Sequence, residues 1–199
     1  WSMGTATASS SAAAAAAATA AGGAALLALS GGGAPSRCQA SGEASHRFPG
    51  CVVVITGAGG DFGRKGAIRF KSEGAHVVLL DAQEGALRAT EEALAKITGP
   101  AALAVVCDVT SDEAVEAAVA AAEKRFGRIT HLWNNAGYQG LVKPTDEYST
   151  ADFQRVQDIN VVGAFRVIHY VSRSMKKTGG GTIVNTASVA ALRGTPAMP

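Results

Sequence analysis

A run of β-branched residues that ends in a glycine turn constrains this chain more than any other feature. Val52-Val53-Val54-Ile55-Thr56 leads into Gly57-Ala58-Gly59-Gly60-Asp61-Phe62-Gly63, and an amphipathic segment follows at once. Such a run reads as a buried strand, and the turn behind it delivers the chain to a helix N-terminus. Helix N-termini carry unpaired N–H groups and the positive end of the peptide dipole, so they receive phosphate. Glycines let the backbone approach such a ligand with no Cβ in the way. A glycine-rich turn alone is a weak signal, and its flanks decide what it means.

The flanks alternate between β-rich and helical stretches. The pattern predicts strands over residues 51–56, 76–81, 101–108, 129–134 and 182–186. Between them it predicts helices over 62–73 and 83–97, one from 110 to Gly127, and a long one from 149 to about 177. In the first helix Phe62, Ala67 and Phe70 are available to the sheet. Thr110-Ser111-Asp112-Glu113 fits a capping box, and Ser149 to Asp152 looks like a second cap. Strands spaced by helices of this length imply right-handed crossovers and a parallel sheet. Near-continuous apolar strands agree, because such strands are covered on both faces. The expected fold is therefore α/β, a doubly wound parallel sheet in three layers, α/β/α.

Composition narrows the function classes. Lys plus Arg outnumber Asp plus Glu by only 18 to 16, so no basic face points to nucleic acid or to an anionic membrane. Cys38, Cys51 and Cys107 lack metal-like spacing and read as inert core thiols of a reducing compartment. His46, His76, His131 and His169 suggest no metal site either. Residues 1–48 form an Ala/Ser/Gly-rich leader, set apart from a nucleotide-binding domain over 49–199. Two readings of that leader stay open: the apolar core of a targeting signal, or a low-complexity segment that buries nothing. The compartment is cytoplasmic by default and an organelle under the first reading.

Asp81 stands at the end of the second predicted strand, 18 positions after Gly63. That is close to the spacing of about 20 residues for a ribose-binding acid. A carboxylate there accepts both ribose hydroxyls and repels a 2′-phosphate, which favours NAD over NADP. A solvated strand-end Asp is the plain alternative.

Five motifs then fall in order: Thr56-Gly57…Gly63, Cys107-Asp108-Val109, Asn134-Asn135-Ala136-Gly137, Asn160 within Asp158–Gly163, and Ile183 to Ser188. Together they resemble the classical short-chain dehydrogenase/reductase family, and Asn134 to Gly140 with the later Asn-Thr-Ala-Ser188 looks nearest to its NAD-dependent xylitol and polyol dehydrogenases. The resemblance implies a Rossmann-type sheet and hydride transfer between NAD and a secondary alcohol or ketone, with a polyol as one candidate. It also implies a homo-dimer or homo-tetramer.

The resemblance assigns the residues as follows. Gly57, Asp61, Phe62 and Gly63 form the pyrophosphate turn. Asp108 would accept from the adenine amino group, with Val109 backing the ring. Asn135, Ala136 and Gly137 would floor the cofactor. Asn160 would distort the long helix and serve a proton relay, and Ser188 would bind the substrate oxygen.

Two departures stand out. Asp61 replaces a usual glycine, where it would have to tolerate left-handed backbone and place a negative charge near pyrophosphate unless it pairs with Arg64 or turns to solvent. The family's Tyr-x-x-x-Lys pair is expected about a dozen residues past Ser188, beyond Pro199. The 199 residues alone would then be inactive. The competing reading is a catalytically silent nucleotide-binding or interaction fragment.

Overall fold

The structure, a computed structural model, describes residues 46–192. They fall within one of the chain's two units, Gly33–Pro199. The leader expected over residues 1–48 lies outside the described residues except for its last three. Five strands alternate with helices: β1 Val52–Thr56, α1 Asp61–Ser72, β2 His76–Asp81, α2 Glu84–Ala95, β3 Ala102–Val106, α3 Asp112–Phe126 and β4 His131–Asn134. After β4 come α4 Thr150–Gln157, a π-helical turn Asp158–Gly163, α5 Ala164–Lys177 and β5 Thr182–Asn185. The strands order β3-β2-β1-β4-β5 and every neighbouring pair is parallel.

Side chains alternate across a strand, so each central strand feeds two cores. Val52, Val54, Val78 and Leu80 pack with Val115 and Ala118 of α3 and with Val167 and Val171 of α5. Val53, Ile55, Val77 and Leu79 pack with Ala67 of α1 and with Leu87 and Leu94 of α2. Two helical layers thus sandwich the sheet, which is why β1 reads as an unbroken apolar run. Burying Val52 to Ile55 contributes roughly 6–12 kcal/mol of gross transfer free energy, at about 1.5–3 kcal/mol per side chain. The chain steps β1, β2, β3 outward on one side and returns with β4 on the other. That reversal opens a crevice at the strand C-termini, where doubly wound sheets bind ligands.

Several expectations change in detail. β3 stops at Val106, and Asp108 turns out of the ladder to accept bonds from the Thr110 N–H and hydroxyl, both at 2.8 Å. Thr110 is therefore committed, and the cap of α3 moves to Ser111, whose hydroxyl oxygen accepts from the Ala114 N–H at 3.1 Å. Ser149 caps α4 as expected, accepting from the Asp152 N–H at 3.0 Å. The single long helix is in fact α4, a π turn and α5. Phe62 is 77% exposed, so it faces away from the sheet, whereas Ala67 is buried.

Cys51 is disulfide-bonded, which corrects the expectation of an inert core thiol there. The sequence spacing held no sign of that pairing. Cys107 is a free buried thiol, pushed up to about 11 by burial and by the Asp108 carboxylate next to it. Among the described residues no helix is long and apolar enough to cross a membrane.

Candidate functional site

A cleft of about 1200 Å³ opens at the C-terminal ends of β1 to β4. It exceeds the roughly 300–1,000 Å³ of ordinary small-molecule pockets. Its first wall is the glycine turn. Gly57 holds φ at +64°, and a Cβ there would lie 3.0 Å from the Ala136 Cα. A Cβ on Gly63 would lie 2.2 Å from the Gly57 carbonyl oxygen, so the start of α1 is pressed directly onto the turn. Gly60 caps α1 with no side-chain bond, unlike the serine caps of α3 and α4. Asp61 and Phe62, in the first turn of α1, line the cleft. An uncapped helix N-terminus beside a turn with no room for a Cβ fits a pyrophosphate.

Asp61 departs from expectation in a way that suits that ligand. It is the first helical residue of α1, so no left-handed backbone is required of it. Its side chain is 86% exposed, with Oδ1 3.7 Å from Arg64 Nη2. The charge points to solvent beside a cation.

Asp81 ends β2 at the rim of the cleft. Its Oδ2 accepts from the Gly59 N–H at 2.8 Å and its Oδ1 from the Gln83 N–H at 2.9 Å. Two backbone donors fix the carboxylate and leave further lone pairs on both oxygens. Asp108 and Val109 supply the next wall, and Asn135, Ala136 and Gly137 the floor.

That floor hangs on Thr56, whose place in the glycine-turn motif gave its buried hydroxyl no role. Its Oγ1 donates to Asn134 Oδ1 at 3.1 Å and accepts from the N–H groups of Asn135 and Ala136 at 2.8 and 2.9 Å. Asn134 Nδ2 donates to the Ala164 carbonyl and to Asn185 Oδ1. Trp133 Nε1 donates to Thr186 Oγ1, which donates to Asn135 Oδ1. A polar residue ending an all-apolar strand is the signal that could have exposed Thr56, since buried polar groups are bonded.

Asn160 sits within the π turn and does not line the cleft. It accepts from the Tyr138 N–H and donates to the Tyr138 carbonyl, both at 2.8 Å, so it ties the segment after Gly137 to the long helix. Ser188 is exposed and precedes a 3₁₀ turn, Val189–Ala191, where its hydroxyl oxygen accepts from the Ala190 N–H at 3.2 Å. It too lies apart from the cleft-lining residues. Of the tyrosines, Tyr148 accepts from the Leu141 N–H through its hydroxyl. Tyr170 is raised by burial and by its bonded neighbour Asp112. Neither tyrosine is among the residues that line the cleft.

The model of the short chain dehydrogenase family matches residues 51–199. The chain belongs to that family. Levodione reductase of Leifsonia aquatica is 41% identical over 157 residues, covering 78% of this chain and 58% of the relative. The human 3-hydroxyacyl-CoA dehydrogenase type-2 is 38% identical, with 76% and 60% covered. Among solved structures, NAD+-bound xylitol dehydrogenase superposes with a TM-score of 0.74 at 46% identity, covering 76% of this chain and 58% of that one. The chain thus spans somewhat over half the length of these short chain dehydrogenases, all of a family of oxidoreductases.

Proposed function

We propose that this chain carries the cofactor-binding part of an NAD-dependent oxidoreductase that interconverts a secondary alcohol, such as a polyol, and its ketone. The anchored Asp81 carboxylate at the cleft rim carries the reading. NAD, when bound, supplies the hydride acceptor. The N-terminus of α1 would hold the pyrophosphate through its uncapped N–H groups. Asp81 would accept the ribose hydroxyls and repel a 2′-phosphate. Asp108 keeps Oδ2 for the adenine amino group, since Thr110 engages Oδ1. Asn135, Ala136 and Gly137 would exclude water beneath the nicotinamide, held in place by Thr56.

Ser188 would donate its hydroxyl proton to the substrate oxygen, stabilising charge that develops there. Asn160 would fix the Tyr138 segment at the substrate end. Similarity to a xylitol dehydrogenase with NAD+ bound and to a levodione reductase supports an alcohol or ketone substrate.

The test is calorimetric titration of NAD and NADP into the wild-type chain and an Asp81→Ala variant. NAD should bind tighter to the wild type, and the substitution should narrow the gap. Tighter NADP binding to the wild type overturns the assignment.

A further inference from the structure

The segment from Asp108 to Asp112 leaves the sheet after β3, and one α5 side chain secures it. Arg166 is 15% exposed and lines the cleft. Its Nη1 donates to the Val109 carbonyl at 2.7 Å. Its Nε lies 2.9 Å from Asp112 Oδ2, but the N–H points off the oxygen, so this contact is an ion pair rather than a directed hydrogen bond. The guanidinium holds the Asp112 carboxyl below the usual carboxylate range, with help from the Tyr170 hydroxyl. The Val109 side chain is seated against the π turn. A Cβ on Gly163 would lie 2.8 Å from Val109 Cγ2 and 3.2 Å from the Val109 carbonyl oxygen. Val109 is thus held twice, at its carbonyl by Arg166 of α5 and at its side chain by Gly163 of the π turn before it.

We propose that Arg166 is a positioning residue for the adenine end of the cofactor, holding the Asp108–Val109 shelf in its binding geometry before the ligand arrives. The inference rests on the nucleotide reading above. An adenine nucleotide then docks on a wall already in place. Without Arg166 the wall must be ordered at the moment of binding, and that entropy is subtracted from affinity. Arginine suits the task because its planar fork reaches a carbonyl and a carboxylate together, whereas a lysine offers one compact charge.

The experiment titrates AMP, nicotinamide mononucleotide and NAD into the wild-type chain and into Arg166→Met, Arg166→Lys and Asp112→Asn variants. Arg166→Met should weaken AMP and NAD about tenfold, the low end of losing a hydrogen bond from a charged group. Nicotinamide mononucleotide should change by less than about twofold, because the shelf contributes little to a half lacking adenine. Arg166→Lys should recover part of the loss. If Arg166→Met melts too low to titrate, Asp112→Asn removes the ion pair without changing shape and should still weaken AMP selectively. Unchanged AMP affinity in both variants overturns the proposal, and so does equal weakening of the two mononucleotides, which would mean general loosening. A wild-type chain that binds neither AMP nor NAD would instead overturn the nucleotide reading itself.

Discussion

Thr56→Val is the sharpest perturbation of the cleft floor. Valine matches threonine in shape but lacks the hydroxyl, and Thr56 is fully buried. The wild-type oxygen uses its proton on Asn134 Oδ1 and its two lone pairs on the Asn135 and Ala136 N–H groups. The substitution leaves two donors and one acceptor without partners. At about 1 kcal/mol for each, the low end for an unsatisfied buried group, the loss is roughly 3 kcal/mol. For a domain of this size that lowers Tm by about 6–12 °C. Urea denaturation followed by circular dichroism measures it directly. Thr56→Ser is the control: it keeps the hydroxyl, loses one methyl and should cost only about 1 kcal/mol. If Thr56→Val loses no more than Thr56→Ser, the hydroxyl does not organise the floor and the reasoning fails.

Three further outcomes follow from the same geometry. Asp61→Asn should change NAD affinity by no more than about fivefold, because an exposed pair with Arg64 is worth about 0–1 kcal/mol. A tenfold gain would show that the carboxylate opposes the pyrophosphate after all. His131 is lowered from its ordinary value of 6.5 by burial. The unfolded chain therefore binds the proton more readily, and this contribution to stability is present above pH 6.5 and lost as pH falls from there toward the folded value. Denaturation midpoints should fall less between neutral and mildly acidic pH in a His131→Phe variant than in the wild type, and equal slopes would contradict it. Cys107, a thiol pushed up to about 11, should resist iodoacetamide in the native protein and react on unfolding, as read by peptide mass spectrometry.

The elements most legible in the sequence were those whose signal is local. The unbroken run Val52 to Ile55 announced a strand buried on both faces, and the alternation of its side chains between two cores follows from period two. The glycine turn, Asp81, Asp108 and Asn135 mark successive strand ends, so their convergence follows once the sheet is parallel. What escaped was set by contacts between distant residues. Thr56 meets Asn134 and Asn135 across nearly 80 positions, and Arg166 meets Val109 across 57. Neither periodicity nor spacing carries such pairings. The cap of α3 was misplaced by one residue because the Asp108 carboxylate had already claimed Thr110, a competition between two local motifs. Asp61 looked strained only because a glycine is usual there, and the helix in fact begins on it.

The central claim, that the Gly57–Gly63 turn, Asp108–Val109 and Asn135–Gly137 form one dinucleotide site, is tested most directly by backbone hydrogen exchange of the chain with and without saturating NAD. Protection should rise at the amides of the turn and first helical residues, at Asp108 and Val109, and across Asn135 to Gly137, with NADP producing less at equal concentration. Saturable binding that leaves these amides unchanged, or no binding at all, would contradict it.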